Sequence, residues 1–442
     1  LEGVAVADSA GPGGRPPATP RDAGEAPDYG QPLWTPSPDV TARAEITRYA
    51  HWLAGRGGPQ IDPDATGYRE LWQWSVDAPA EFWTSIWEFF GVLGHRGDGP
   101  VLAGAMPSAR WFEGSTLNYA RNALRAAQSD PEKVAVAYSA ETGRSGQLTY
   151  GELRAEVARI RAGLQALGVG LGDRVAAYLP NSPEALIAML ATTSLGAIWT
   201  SCSPDFGAHS VIDRFAQISP RVLLAVDGYA YGGKRFDRRP EVAAIAAGLP
   251  GLEAAIIVDY AGHGAAVAGA GGSADELTVP VLKWTEVGAD GGRRADLEFA
   301  EVPFSHPLWV LYSSGTTGLP KPIVHSHGGI VLEHLKALAL HQDLTAADTF
   351  FWYTTTGWMM WNYLVGGLLV GAKLVLYDGS AVHPDASALW RLAADAGVSY
   401  AGTGAPYLLA CMKEGMRPAA EHDLSRLRGV GSTGSPLPPE GF

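Results

Sequence analysis

What this sequence lacks narrows its class before any motif is read. Cysteine is scarce: Cys202 and Cys411 are the only two in 442 residues, which excludes a disulfide scaffold and suits a reducing cytosol. Lys/Arg-rich runs are missing, and 33 basic against 46 acidic residues give a formal charge of −13, which argues against a nucleic-acid surface. No apolar run is long enough to span a membrane. The stretches at 185–199 and 363–377 are broken by Thr, Ser, Gly and Lys373, short of the roughly 18–20 residues a span needs. No basic, then apolar, then small-residue segment opens the chain, so no secretory signal is visible. Hydrophobic residues make up 46% and charged residues 18%, enough to bury a sizeable core, while 55 Gly and 31 Pro make the chain loop-rich. The expectation is a soluble, cytoplasmic protein of about three domains or subdomains, with neither nucleic acid nor membrane as partner.

Residues 1–30 are rich in Gly, Pro and Ala without apolar periodicity and read as a flexible tail. Residues 31–125 form an aromatic-dense segment in which Trp72, Trp74, Phe82, Trp83, Trp87, Phe89 and Phe90 recur at roughly helical spacing. That pattern predicts a helical cap packed on a larger body. From Lys133 onward, strands alternate with helices. KVAVAY, DRVAAYL, VLLAV, PLWVLY, TFFWYT and KLVLYD read as buried strands. LTYGELRAEVARIRAGLQALG reads as a helix with Leu153, Val157, Ile160, Leu164 and Leu167 on one face. Thr149 and Glu152 have capping-box spacing, and Gly168 stands where that helix should stop. The Gly/Ala-rich stretch at 264–276 reads as a surface loop. The alternation predicts parallel βαβ units in two sheets.

The strongest local signal is LYSSGTTGLPKPIVHSHGG, residues 311–329. A short strand runs into Ser313, Ser314, Gly315, Thr316, Thr317 and Gly318, followed by Lys321. Glycines let backbone N–H groups converge, four hydroxyls add donors, and the lysine adds a point charge, a combination suited to phosphate. The order is neither GxxxxGK[ST] nor GxGxxG, and an ordinary Gly/Ser/Thr connection stays open as a reading of the loop alone. Other chemistries fare poorly. The run 431–434 is not a GxSxG elbow, and His325 and His327 lack the HExxH or Cys spacing of a metal site. His325 is expected near the phosphates at the start of a helix.

The nineteen-residue string resembles the signature phosphate loop of the acyl-adenylate-forming enzymes. WFEGSTLNYARNAL (111–124) and LPNSPEALIAMLATTSLGAIWTSCSPDFG (179–207) resemble the acyl-CoA synthetase branch, so the likeness runs from about residue 33 to 442. It implies an α/β fold, the N-terminal domain of an adenylate-forming enzyme. Two stacked αβ subdomains would make five αβαβα layers beside a smaller β-barrel-like subdomain, with the C-terminal lid domain absent. Residues 126–442 would be the AMP-binding large domain, incomplete at its C-terminal end.

Site residues follow from the same resemblance. Ser313, Ser314, Gly315, Thr316, Thr317, Gly318 and Lys321 would hold the ATP phosphates. The turn after Thr354-Thr355-Thr356-Gly357 would face the acyl group and the thioester end of CoA, with Trp358, Met359, Met360, Asn362 and Thr433 lining the acid pocket. Acetate enzymes usually show Gly-Trp-Val-Thr-Gly-His here. GWMMWN and GSTGSPLPPEGF resemble the acetoacetyl-CoA synthetases better, and Asn362 is a candidate donor to a 3-keto oxygen. Gly434, Ser435 and Pro436 would line the adenine, and GTGAPYLLA (402–410) the neighbouring wall. Gly232, Gly233, Lys234 and Arg235 in YGGKRF stand where related enzymes grip the CoA 3′-phosphate, although the residues themselves favour reading Lys234 and Arg235 as a solvated turn.

The implied reaction converts acetoacetate, ATP and CoA to acetoacetyl-CoA, AMP and pyrophosphate in two steps, and needs no side-chain nucleophile because the substrate carboxylate attacks the α-phosphorus. Family members carry further parts: an aromatic-x-x-Thr-Glu strand whose Glu binds Mg²⁺, an Asp for the ribose, an Arg for the phosphates, and a mobile domain bearing the adenylation lysine. None lies in residues 1–442, and Lys321 does not replace that lysine. The 442-residue chain by itself is therefore expected to be inactive. Two alternatives stay open at this point: another short-chain acyl-CoA synthetase, for acetate, propionate or butyrate, and a non-catalytic nucleotide-binding protein.

Overall fold

The computed structural model describes residues 34–61, 65–264, 279–289, 296–313 and 318–442. The expected tail at 1–30 and all but the first residue of the expected loop at 264–276 lie outside them. Residues Pro38–Phe442 form one unit. Thirteen strands build two large sheets: β1 (Val134–Ala140), β2 (Ser145–Thr149), β3 (Arg174–Tyr178), β4 (Ile198–Cys202), β5 (Val222–Val226), β6 (Ala254–Val258), β7 (Val281–Lys283), β8 (Pro307–Ser313), β9 (Lys321–Ser326), β10 (Thr349–Trp352), β11 (Lys373–Asp378), β12 (Tyr400–Gly404) and β13 (Gly429–Thr433). The seven-stranded sheet has the order β7-β6-β5-β3-β4-β8-β9 and the six-stranded sheet the order β13-β12-β10-β11-β1-β2. All neighbours are parallel except β8/β9 and β1/β2, so each sheet carries one antiparallel edge.

Twelve principal helices accompany them: α1 (Glu45–Ala54), α2 (Ala65–Asp77), α3 (Pro79–Phe89), α4 (Tyr119–Ala123), α5 (Tyr150–Ala166), α6 (Pro183–Ser194), α7 (Ala208–Phe215), α8 (Arg239–Ala247), α9 (His327–Leu335), α10 (Met359–Val365), α11 (Ala388–Ala396) and α12 (Ala405–Lys413). The period-2 alternation of the strands sorts them into layers. Ala176, Leu223 and Ile257 pack outward on Val211 and Phe215 of α7 and Val242 and Ile245 of α8. Their neighbours Val175, Leu224 and Ile256 pack inward on α5 and α6, sharing one core with Phe350, Leu374 and Leu376 of the other sheet. Val375 and Phe351 turn to the far side, against Leu389 of α11 and Tyr407 of α12. The result is the five-layered αβαβα stack.

Helix α5 begins as its sequence predicts. The Thr149 hydroxyl accepts the Glu152 N–H at 3.1 Å and the Glu152 carboxylate accepts the Thr149 N–H at 2.8 Å. It stops where Gly168, at φ +78°, takes a left-handed turn that a side chain resists. Leu153, Val157, Ile160 and Leu164 are fully buried, while Leu167 is only partly so. Every residue of α6 is buried, as befits a helix enclosed on all sides between the sheets. Each large aliphatic side chain there contributes about 1.5–3 kcal/mol by leaving water.

Several aromatics of the segment at 31–125 pack on this body. Ile86 and Trp87 of α3 are buried, with Trp87 stacked on Phe112 and Phe112 on Phe304. Trp72 departs from the expectation: it stands 54% exposed on α2, on the same face as exposed Tyr68 and Val76. The β-barrel-like subdomain is not found, since no closed barrel forms among the described residues. The remaining strands, such as Leu102–Ala103 with Arg110–Trp111, are two to four residues long, too short for the tilt and stagger that closure requires. Among the described residues no helix is long and apolar enough to cross a membrane.

Candidate active site

Parallel sheets offer ligands the crevice beyond their carboxyl ends. Here the loop at 354–357, which leaves β10 of one sheet, is bonded to the ends of β3 and β4 of the other. The Thr356 hydroxyl donates to Leu179 O at 2.5 Å, and the Ser201 hydroxyl donates to Thr356 O at 2.8 Å. One step on, Trp361 of α10 donates its indole N–H to Asn181 Oδ1 at 3.0 Å and stacks on Trp199. A cavity of about 370 Å³ opens beside this seam, lined among others by Asn181, Asp205, Tyr231, Thr355, Tyr377 and Asp378.

Asp378 is the unusual group in that lining. Burial pushes its carboxyl up to about 7, and the charges of Glu141 and Asp205 push the same way. The Tyr260 hydroxyl, donating to Oδ2 at 3.0 Å, and Arg144 oppose them. Arg144 in turn donates to Glu184 at 2.5 Å and lies over the Tyr260 ring, 4.6 Å from its centroid.

The predicted CoA residues sit on a hairpin at 228–237 whose two turn residues, Gly232 and Gly233, have φ of +60° and +74°. A two-residue turn with both angles positive demands glycine. Both turn N–H groups already donate to the Glu141 carboxylate, at 3.1 and 2.8 Å, and Ser380 N–H donates to it at 2.6 Å. The backbone of the turn is therefore satisfied internally. Lys234 and Arg235 are exposed beside it, and Arg235 donates to Ala261 O at 3.0 Å.

In the predicted phosphate loop, Ser313 and Lys321 face each other across the β8/β9 ladder. Lys321 and Gly318 are exposed, Gly318 at φ +127°. Ser314, Gly315, Thr316 and Thr317 lie outside the described residues. The Ser326 hydroxyl caps α9 by accepting the Gly329 N–H at 3.1 Å. His325 Nδ1 accepts the Trp309 indole N–H at 3.0 Å, and burial lowers its pKa. His327 is enclosed, accepts the Tyr119 N–H at 3.1 Å, and is pushed by burial to about 3. Among the described residues no three His, Cys, Asp or Glu side chains converge as a metal site. The described residues do not by themselves form a cage for Mg²⁺.

The predicted acid and adenine residues meet in space. Trp358, in extended conformation before α10, lies against Gly434, which follows β13 at φ +88°. A Cβ at Gly434 would stand 3.9–4.0 Å from the Trp358 ring. Thr433 is half-buried at the end of β13, while Ser435 and Pro436 are exposed. Met360 and Asn362 are buried and Met359 is 47% exposed.

The family model described as AMP-binding enzyme matches residues 124–441. The chain belongs to the AMP-binding enzyme family. A second model, the acetyl-coenzyme A synthetase N-terminus, matches residues 68–123. Among the relatives of this chain is the acetoacetyl-coenzyme A synthetase of Rhizobium meliloti (strain 1021), 44% identical over 416 residues, which are 93% of this chain and 61% of that protein. The acetoacetyl-CoA synthetase of Danio rerio is 41% identical over 384 residues, 85% of this chain and 56% of that one. The solved structure of acetoacetyl-CoA synthetase from Streptomyces lividans is 50% identical, superposes with a TM-score of 0.85, and is matched over 93% of this chain and 61% of its own. The chain thus spans 56–61% of the length of these relatives.

Sequence reasoning did not single out Asn181, Glu141, Tyr260, Tyr377 or Asp378. Asn181 and Asp378 each close or follow an apolar parallel strand, a position that signals a crevice-facing residue. No comparable signal marks Glu141, which looks like any solvent-facing glutamate until the hairpin is placed beside it.

Proposed function

We propose that this chain is the ATP- and acid-binding body of an acetoacetate–CoA ligase that forms AMP. The observation that carries the reading is similarity sustained over 93% of the chain to proteins named acetoacetyl-CoA synthetase. The contact of Trp358 with Gly434 supports it, because it joins the acid-binding and adenine-binding segments the reading requires. Residues 31–125 then serve as an N-terminal cap and residues 126–442 as the adenylation domain.

In the first step the acetoacetate carboxylate attacks the α-phosphorus of ATP and pyrophosphate leaves. In the second the CoA thiol attacks the acyl carbonyl and AMP leaves. Ser313, Ser314, Gly315, Thr316, Thr317, Gly318 and Lys321 hold the phosphates in this scheme, and Gly434, Ser435 and Pro436 flank the adenine. Trp358, Met359, Met360, Asn362 and Thr433 surround the acid. Because Glu141 occupies the N–H groups of Gly232 and Gly233, these glycines shape the turn while Lys234 and Arg235 supply the charge for the CoA phosphate. The cavity beside Thr355 and Tyr231 joins the hairpin to the acid turn and suits the arm of CoA. Cys202 and Cys411, both free and buried, fit a reducing compartment such as the cytoplasm.

Acid-dependent exchange of pyrophosphate into ATP, measured on the complete source protein with acetoacetate, acetate, propionate and butyrate, tests this. Acetoacetate should exchange fastest, and equal rates with acetate would overturn the assignment. The purified 442-residue chain should form no acetoacetyl-CoA, and measurable product would refute the division of labour proposed here.

A further inference from the structure

The chain contains four asparagines, Asn118, Asn122, Asn181 and Asn362, and all are at most 4% exposed. Three have both ends of the amide bonded. Asn118 donates to Thr193 O and Ala300 O and accepts the Ala120 N–H. Asn122 donates to Leu93 O and accepts the Leu93 N–H. Asn181 donates to Tyr377 O and accepts from Trp361. Asn362, at 2% exposure, is different: neither Oδ1 nor Nδ2 has a partner, and among the described residues no other side chain has two such atoms.

Removing an amide from water without a partner is unfavourable. Leucine has nearly the same size and would avoid that cost among neighbours such as Trp361, Leu364 and Val365, all fully buried. The unpaired amide also occupies a telling place. It lies in the first turn of α10, the helix that opens directly after Trp358, with its Cβ tilted back toward the helix start. Trp358 in turn borders Gly434. A donor kept buried and unbonded on the helix that opens at Trp358 is suited to an acceptor carried by the acid itself.

We infer that Asn362 is the specificity-determining residue for a β-keto acid, its Nδ2–H donating to the carbonyl oxygen on C3 of the bound acid. The inference rests on the acetoacetate reading above. An acid with a methylene at C3 leaves the amide unpaired inside a closed site, and sites built to hydrogen-bond a substrate group reject analogues that lack it far more strongly than apolar pockets reject a missing methylene.

The test uses the complete enzyme, with acetoacetate and butyrate as the two acids in pyrophosphate exchange. For Asn362→Leu the acetoacetate-to-butyrate ratio of kcat/KM should fall by roughly 10- to 100-fold, and the thermal midpoint should hold or rise. Asn362→Ala, which removes the amide without filling its space, should shift the ratio the same way and decides the matter if the leucine variant fails to fold. A ratio unchanged in both variants, while wild type prefers acetoacetate, overturns this inference alone. A wild type that does not prefer acetoacetate overturns the functional reading and this inference with it.

Discussion

Replacing Asp378 by Asn should reverse one part of the chain's stability profile with pH. In the unfolded chain this carboxyl titrates near 3.8, whereas burial holds it at about 7 in the native cavity wall. The native state therefore keeps a proton that the unfolded state has already released. The resulting stabilisation is complete below about pH 4 and is lost as pH rises through about 7. The span from 3.8 to about 7 corresponds to on the order of 4 kcal/mol. Asparagine has the same shape and cannot ionise, so Asp378→Asn should match wild type near pH 4 and exceed it by up to that amount at pH 8. For a body of about 400 residues this is a difference of about 5 °C in thermal midpoint. Carboxylates such as Asp348, where bonds from Arg428, Ser399 and Thr345 outweigh burial and lower the pKa, act in the opposite sense, but both proteins share them. Thermal unfolding followed by tryptophan fluorescence, run on the pair in parallel from pH 4 to 8, isolates the effect as a difference. A difference that stays flat across the range would refute the reasoning.

Glu141→Gln leaves a neutral amide where three backbone N–H groups converge. The loosened hairpin should raise KM for CoA about tenfold, the equivalent of about 1.4 kcal/mol, while pyrophosphate exchange, which needs no CoA, stays within about twofold; an equal loss in both assays would count against a positioning role. Thr149→Ala removes the capping-box acceptor of α5 and should lower stability in chemical denaturation by about 0.5–2 kcal/mol, with an unchanged midpoint as the contrary result.

The sheets were legible because their strands announce themselves twice, by apolar runs and by the turn residues between them. KLVLYD and VLLAV became β11 and β5 nearly residue for residue. Helix α5 was legible for a different reason: Thr149, Glu152 and Gly168 encode both its ends locally. The cap was harder to read, since helical spacing of aromatics does not say which face meets the body, and Trp72 shows the outward answer. The implied barrel came from family likeness, which cannot report how short the small strands here are. The acid and adenine segments were readable from their wording, but their meeting at Trp358 and Gly434 joins positions far apart in sequence. The cavity was opaque for the same reason, because its wall draws on segments from 181 to 379. Asn362 was visible as a residue type. Its lack of partners is a property of the packed fold and has no signature in a string of letters.

The bonds across the seam between the sheets also have a mechanical meaning. Thr356 to Leu179, Ser201 to Thr356, Trp361 to Asn181 and Tyr260 to Asp378 all tie one sheet to the other near their carboxyl ends, and Glu141 adds the hairpin to the same lashing. Apolar layers can slide past one another with little change in contact area, but directional bonds cannot. A shear displacement of even 1–2 Å would break several of these together, at about 1 kcal/mol or more apiece. The stack therefore behaves as a clamped laminate at the end where chemistry is proposed, and freedom to admit a ligand falls to the loops and side chains at its rim.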